Sequence, residues 1–284
     1  MNPSFDHIAS AIARPAVRDS RAVAHYVLDN AEPEASNRFD ALATLFDPGT
    51  KRHIEALGPI DNWRCLEVAA GGGSIARWLA DRVGPGGSVV ATDIDIRHLQ
   101  QLSLPNLEIV EHNILDDAVP EPAFDLVHTR LLLVHLPRRE EALERMISAL
   151  RPGGWLLAEE FDSVSTRADS ELNPAETLLK SSLAGWAVME AAGVEIGYGR
   201  KLAARLKAHG LVEVDAEASI PLWQGGSPFS QLIKANWNQL HHQMVARELV
   251  TEAELASDLE RLDDPAFMSF AQTMWSAWGR KPAS

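Results

Sequence analysis

The sequence contains a single cysteine, Cys65, in 284 residues. One thiol cannot form a disulfide within the chain, and disulfides are typical of small secreted proteins. The N-terminal segment also lacks the apolar core of a secretory signal peptide. These absences predict a protein of the reducing cytoplasm.

Basic residues are scarce. The chain has 26 lysines and arginines against 40 aspartates and glutamates, which gives a formal net charge of −14. A field of this sign repels a phosphate backbone, and the basic clusters are only the pairs Lys51-Arg52 and Arg138-Arg139. Nucleic acid is therefore not expected as a partner. Because no apolar run approaches the roughly 18 residues of a membrane span, no membrane insertion is expected.

Several catalytic signatures are missing as well. The sequence has no H-E-x-x-H, C-x-x-C or G-x-S-x-G pattern, so neither a metal site nor a hydrolase nucleophile is expected. The two tyrosines, Tyr26 and Tyr198, are not followed by lysine four residues later. That absence weakens the case for an oxidoreductase that uses a Tyr-Lys pair.

The chain does contain a regular alternation of apolar strands and amphipathic helices. Its hydrophobic content of 46% is sufficient for a large core. The N-terminal part has a helical pattern up to about Leu57, with a break expected at Asp47-Pro48-Gly49. Strands alternating with helices predict a parallel sheet with helices on both faces. The predicted strands lie at 64–70, 88–93, 107–112, 124–128, 155–160, 211–220 and 268–278.

A glycine-rich turn follows the first predicted strand. Gly71 and Gly73 start the pattern G-x-G-x-x-A, and Asp93 lies twenty residues beyond Gly73, where the second strand ends. Glycines allow a ligand to approach the backbone closely, and the acid can accept hydrogen bonds from ribose hydroxyls. The pattern predicts an adenosine-containing cofactor at the carboxyl ends of these strands. By itself it fits a nicotinamide dinucleotide and a nucleoside sulfonium equally well.

Four further segments resemble, in chain order, the motifs of class I S-adenosylmethionine (SAM)-dependent methyltransferases over about residues 20–160. They are LEVAAGGG at 66–73, VATDID at 90–95, FDLV at 124–127 and LRPGGWL at 150–156. The closing WSAWGR at 275–280 resembles the last strand of members that act on small molecules. In one departure, Ala69 stands where the family usually has glycine.

The resemblance implies an α/β fold with a Rossmann-like, seven-stranded, mostly parallel sheet, helices on both faces and a helical cap. SAM would be the cofactor, S-adenosylhomocysteine (SAH) its product, and a small molecule such as a secondary metabolite the acceptor. The expected organisation is a helical cap segment at 1–60, the cofactor-binding core at 61–161 and a cap insertion at 162–198. The rest of the core would occupy 199–284, with a helical insertion at about 227–263.

Cofactor contacts are also implied by the resemblance. Asp93 matches the ribose-binding acid, with Asp95 as its competitor, and Ile94 would pack on the adenine. Asn113 would accept a hydrogen bond from the adenine amino group or, alternatively, form an Asx turn. Arg130 would line the pocket or form a surface ion pair. The full set of expected contacts is Glu67, Ala69, Gly71, Gly73, Asp93, Ile94, Asn113, Ile114 and Arg130, with Tyr26 and Arg38 as lid residues from the N-terminal helices.

The sequence does not identify the catalytic residues. His135 is a candidate general base, although its H-x-P context favours the start of a helix over a catalytic role. Side chains outside the rhythm of the sheet are candidates for the acceptor pocket, or else simply pack the cap on the core. These candidates are Trp186, Met189, Trp223, Trp237 and His241.

Two other functions remain compatible with the sequence. One is a SAM-binding protein of the same fold that transfers no methyl group, and the other is an NAD(P)-dependent oxidoreductase. The identity of the acceptor, the atom methylated and the choice between monomer and homodimer are left open.

Overall fold

The computed structural model describes residues 35–119, 123–165 and 177–283. Its strands are β1 (Arg64–Val68), β2 (Ser88–Asp93), β3 (Leu107–Glu111), β4 (Phe124–Arg130), β5 (Leu150–Asp162), β6 (Val212–Ser219), β7 (Leu222–Gln224), β8 (Met268–Phe270) and β9 (Thr273–Arg280). Its helices are α1 (Ala35–Ala56), α2 (Ser74–Val83), α3 (Arg139–Ala149), α4 (Thr177–Ala191), α5 (Leu202–Ala208), α6 (Pro228–Ala246) and α7 (Glu252–Arg261). Short 3₁₀ turns occur at Leu133–His135 and Gly199–Lys201.

Seven strands form the main sheet in the order β3-β2-β1-β4-β5-β9-β6. The first five are parallel to their neighbours, and β9 runs antiparallel to both β5 and β6. This arrangement confirms the expected seven-stranded, mostly parallel sheet. A dinucleotide-binding sheet has the order 3-2-1-4-5-6, so the antiparallel β9 between β5 and β6 disfavours the oxidoreductase alternative.

Each face of the sheet is covered by its own apolar cluster. Cys65, Leu126 and Leu157 pack with α2 on one face. Leu66 and Val127 pack with α3 and α5 on the other. Burial on both faces explains why the central strands are nearly continuous apolar runs.

A third apolar cluster lies mostly outside the sheet and includes Met274 of β9. Helices α4, α6 and α7 pack around Trp223, Trp237 and Leu240. The strands β7 and β8, which were not predicted as a separate unit, form a small two-stranded sheet beside them. These elements form a cap with its own core. None of the described helices has the length and apolar character to cross a membrane.

Two expectations about local structure were wrong. Helix α1 continues through Pro48, where a break was expected. Proline removes one helical hydrogen bond, but Asp47 and Thr50 on either side of it bind Arg130 of β4 and so hold the helix on the sheet. The expected last strand at 268–278 is divided, because β8 pairs with β7 while β9 joins the main sheet.

Candidate active site

A cavity of about 460 Å³ lies at the carboxyl ends of β1, β2 and β4, between the sheet, α1 and the cap. From β1 the strand order runs outward to β2 and β3 on one side and to β4 and β5 on the other. The loops that follow such strands diverge and leave a crevice, which is the usual ligand position in open α/β sheets. The fold therefore places the cavity where the sequence predicts the cofactor.

The glycine-rich turn lines this cavity only in part. Gly71 (φ 54°) lies in the wall, and a Cβ atom there would come within 2.9 Å of the Phe39 ring. Gly73 (φ 77°) does not belong to the wall, because a Cβ atom there would point at Leu99 and Leu102 instead. Gly73 thus serves the close packing of the turn, and Gly71 lets the Phe39 ring lie against the backbone in the cavity wall.

Ala69 adopts the left-handed conformation, with φ 59°, and also lines the cavity. This conformation costs a residue with a Cβ atom about 1–2 kcal/mol. The family's usual glycine at this position would avoid that cost. The departure noted in the sequence is therefore a site of backbone strain.

Replacing Ala69 with glycine is expected to raise the free energy of unfolding by about 0.5–1 kcal/mol, since relief of strain outweighs the added entropy of the unfolded chain. Urea denaturation measures the change. The matched control is Ala70→Gly, because the φ angle of Ala70 is not positive. Ala70→Gly should therefore lower stability by about 0.4–1 kcal/mol. Equal losses in the two variants would contradict the assignment of strain.

Asp93 is buried where β2 ends, in the cavity wall. Its carboxylate accepts hydrogen bonds from the backbone N–H groups of Gly71 (2.9 Å) and Asp95 (3.0 Å). Burial raises the pKa of Asp93, and these backbone bonds oppose the rise. Asp95 does not line the cavity, and its carboxylate accepts hydrogen bonds from Arg97 (2.9 Å). Of the two competing acids, only Asp93 faces the cavity.

The next part of the wall carries the residues expected around the adenine. Ile94 is 45% exposed in the cavity wall, which is unusual for a large apolar side chain, and Ile114 is buried there. Asn113 also lines the cavity and forms an Asx turn, since its Oδ1 accepts the backbone N–H of Leu115 at 3.0 Å. The turn is thus present, and a carbonyl oxygen keeps a second lone pair for a ligand.

Helix α1 covers one side of the cavity with Arg38 and Phe39. Arg38 is buried, and its guanidinium lies 5.8 Å from the Phe39 ring centroid. Arg130 lines the cavity and donates hydrogen bonds to Asp47 (3.0 Å) and to Thr50 (3.1 Å). It forms an interior ion pair rather than a surface one. Tyr26 lies outside the described residues.

His135 lies in the cavity wall at the end of a 3₁₀ turn. Burial, together with the charges of Arg38 and Arg139, lowers the pKa of its imidazole to about 4. The imidazole is therefore neutral at physiological pH and is a weak base. Glu160 stabilises this turn, because its Oε1 accepts hydrogen bonds from the backbone N–H groups of Leu132 (3.0 Å) and Leu133 (2.6 Å).

The far side of the cavity is apolar and aromatic. Of the predicted acceptor residues, Trp186, Met189, Trp223 and Trp237 line it. His241 does not: its side chain is 41% exposed and lies 2.6 Å from Glu252 of α7, whereas the preceding Leu240 lines the cavity. The sequence did not single out several further wall residues, namely Phe39, Phe161, Phe229, Leu232, Asn236, Phe270 and Gln272.

Sequence reasoning also missed a buried charge row formed by Glu67, His128 and Glu159. His128 Nδ1 lies 2.7 Å from Glu67 Oε2, and its Nε2 lies 3.3 Å from Glu159 Oε2. A signal was available, since His128 and Glu159 occupy strand positions predicted to be buried, where a charge needs a partner. No group of three or more histidine, cysteine, aspartate or glutamate side chains that could hold a metal ion occurs in the described part of the chain.

The sequence of the chain is similar to those of known methyltransferases. The methyltransferase-domain family model matches residues 20–216. The chain is 34% identical to methyltransferase str2 of Strobilurus tenacellus over 51% of its own length and 52% of that protein. It is 29% identical to the ubiquinone/menaquinone biosynthesis C-methyltransferase UbiE of Pseudomonas savastanoi pv. phaseolicola, over 52% of this chain and 63% of that one. The matched segments thus cover about half to two-thirds of these relatives' length.

A solved structure shares the fold at low sequence identity. Phosphoethanolamine N-methyltransferase 2 of Haemonchus contortus, in complex with phosphomonomethylethanolamine and SAH, superposes with a TM-score of 0.56 at 15% identity. The match covers 92% of this chain and 60% of the other. The family match covers more than half of the sequence, and the sheet has the expected seven strands. The chain therefore belongs to the methyltransferase-domain family and shares the fold of that solved structure.

Proposed function

We propose that the protein transfers the methyl group of SAM to an apolar small-molecule acceptor bound in the cavity. The observation that carries the proposal is that one cavity joins the glycine turn and buried Asp93 to an aromatic wall. SAM supplies a methyl group on a sulfonium, which is an excellent leaving group. The chain's own task is then to bind and align the two reactants.

The residues at the sheet end of the cavity fit SAM. Gly71 lies in the cavity wall, and Asp93 offers a carboxylate there for the ribose hydroxyls. Ile94 presents an exposed apolar surface on which an adenine ring can pack. Glu67, also in the wall, carries a negative charge suited to the methionyl ammonium group. Arg38 and Phe39 would close over the cofactor from α1.

The cap end of the cavity indicates the acceptor class. Its wall is dominated by aromatic and aliphatic side chains from α4, α6, β7 and β8, with Asn236 and Gln272 as hydrogen-bonding groups. Such a surface favours a ligand that is mainly apolar and carries few polar groups. A small organic acceptor fits this wall, whereas a strongly charged one would lose its hydration there.

The reaction would depend on alignment more than on proton removal. Holding two reactants in line can lower a barrier by roughly 7–11 kcal/mol. His135 is too weak a base to remove a proton efficiently near neutral pH, because its pKa is lowered to about 4. The acceptor atom is therefore expected to be nucleophilic already, as an ionised oxygen or an uncharged atom with a free lone pair.

The test is methyl transfer from methyl-labelled SAM to an organic-soluble metabolite extract. The wild type should label extractable small molecules, and Trp186→Ala should reduce the label about tenfold by removing the aromatic wall. Leu183→Ala is the matched control on the same helix, because Leu183 is 52% exposed and outside the cavity. SAH affinity should be unchanged in both variants.

Two results would contradict the proposal. Binding of SAH without any transfer to a broad range of extracts would favour a SAM-binding protein that is not a transferase. Equal losses of label in Trp186→Ala and Leu183→Ala would place the acceptor outside the cap end of the cavity.

A further inference from the structure

Glu67 is the only member of the buried charge row that lines the cavity. It is the penultimate residue of β1, two residues before Ala69. Its Oε2 is held by His128 at 2.7 Å. One oxygen is therefore fixed from within the sheet, while the carboxylate forms part of the surface that a ligand meets.

His128 is completely buried on β4, in register with Glu67 of the neighbouring strand. Its two ring nitrogens face two different carboxylates, so both can donate only if the imidazole is protonated. Burial opposes protonation, but the charges and hydrogen bonds of Glu67 and Glu159 outweigh it and raise the pKa of His128 to about 9. The ring cannot rotate without breaking one of the two contacts.

Glu159 is itself fixed on its far side. Its Oε1 accepts a hydrogen bond from Ser276 of β9 (2.6 Å), and its Oε2 accepts one from Thr50 of α1. Arg130 also donates to Thr50, and His53 of α1 lies 3.5 Å from Glu159. Three strands and the helix that covers the cavity therefore anchor the end of the row that lies away from the ligand.

From these contacts we infer that His128 is a positioning residue, which uses its anchor on Glu159 to aim the Glu67 carboxylate at the methionyl ammonium of SAM. This inference rests on the proposed function, because it requires SAM in the cavity. His128 does not line the cavity and touches no ligand. Its effect would pass entirely through Glu67. The part of the ligand that depends on it is the amino acid, not the adenosine.

Two ligands separate this role from a general structural one. SAH contains the methionyl-type amino acid, whereas 5′-methylthioadenosine keeps the adenosine and lacks the amino acid. Titration calorimetry on the full chain measures both affinities at pH 7. The test variant is His128→Leu with Glu159→Gln, which removes the imidazolium without leaving Glu159 charged and unpaired. The matched variant, His128→Gln with Glu159→Gln, restores a neutral donor to Glu67.

We expect the leucine variant to bind SAH about tenfold more weakly, the change that loss of one oriented charged hydrogen bond produces. Its affinity for 5′-methylthioadenosine should stay within about twofold. The glutamine variant should recover part of the SAH affinity. Glu67→Gln should show the same selective loss, and combining it with the leucine variant should add little.

Other outcomes would overturn the inference. Equal weakening of both ligands in the leucine variant would indicate a general structural effect, and unchanged SAH affinity would show that Glu67 needs no positioning. If the leucine variant does not fold, the glutamine variant decides: it should bind SAH more weakly than the wild type and 5′-methylthioadenosine equally well, and equal weakening of both ligands would count against His128. If the wild type binds neither ligand, the proposed function fails instead.

Discussion

Replacing Asp93 with alanine is expected to weaken SAH binding roughly 10- to 100-fold, because a hydrogen bond to a charged group contributes about 1.5–3 kcal/mol. Asp93 closes β2 in the cavity wall and is the acid there that follows the glycine turn. The ribose hydroxyls would lose the charged acceptor at the end of β2. Titration calorimetry with SAH measures the loss.

Two controls define what such a loss means. Asp95→Ala should leave SAH affinity nearly unchanged, because the Asp95 carboxylate is engaged by Arg97 and lies outside the cavity wall. Asp93→Asn keeps one oxygen acceptor and should fall between wild type and Asp93→Ala. If Asp95→Ala were the damaging change and Asp93→Ala were neutral, the ribose assignment would be wrong.

The Asp93 variant also removes an acceptor for the backbone N–H of Gly71. Thermal unfolding of both aspartate variants should therefore accompany the titration. A large fall in the melting temperature of Asp93→Ala would mean that the turn itself has rearranged. Asp93→Asn keeps an acceptor for the N–H of Gly71 or of Asp95 but not for both, so its loss of affinity reports on the ribose contact only where its melting temperature stays near that of the wild type.

Removing His128 alone is expected to destabilise the fold by about 3–5 kcal/mol at pH 7, as seen when one partner of a buried ion pair is removed. His128→Leu would leave Glu67 and Glu159 facing each other without the positive charge between them. Adding Glu159→Gln should recover a large part of the loss, since one of the two uncompensated charges disappears. Urea denaturation of the wild type, the single variant and the double variant measures the difference.

The same row predicts a loss of stability at alkaline pH. A histidine with a pKa of about 9 in the folded protein and about 6.5 in the unfolded chain binds more protons when folded. Its stabilisation is complete below about pH 6.5 and disappears as the pH rises through about 9. Glu159 has the opposite pH dependence. Burial raises its pKa, but hydrogen bonds from His128 and His53 outweigh burial and hold the pKa well below its usual range. The stabilisation that Glu159 contributes to the folded state is therefore lost only in acid.

Between pH 7 and pH 10, the free energy of unfolding of the wild type should therefore fall more than that of His128→Leu with Glu159→Gln. The full histidine contribution is about 3 kcal/mol, of which part is already lost by pH 7. Glu160 and Cys65, whose pKa values are both raised, are present in both proteins and cancel in the comparison. Parallel pH profiles for the two proteins would show that His128 is not an imidazolium in the folded state.

The charge row also illustrates where sequence reasoning stopped. Glu67 was expected beside the cofactor because of its place before the glycine turn, and it does line the cavity. Its partners lie 61 and 92 residues further along the chain, and only the sheet register brings His128 and Glu159 to the same face. Periodicity marks those positions as buried, but it does not say which buried charges will meet.

The cap shows the same limit. Aromatic residues of α4 and α6 could be named as candidate walls because they interrupt the rhythm of the sheet, and Trp186 and Trp237 do reach the cavity. His241, only four residues after Trp237, instead meets Glu252 of α7, whereas Leu240 beside it lines the cavity. Such a difference depends on which side of each helix faces the cavity, which is set by packing within the cap.

The sequence by itself determined the alternation of strands and helices, the glycine turn and the acid that closes the second strand, because these depend on short-range spacing and on backbone conformations that particular residues allow. Only the tertiary structure decided that α1 continues through Pro48, that Gly73 turns away from the cavity and that a histidine links two carboxylates inside the sheet. Those features arise from contacts between distant segments, whose energies no local pattern records.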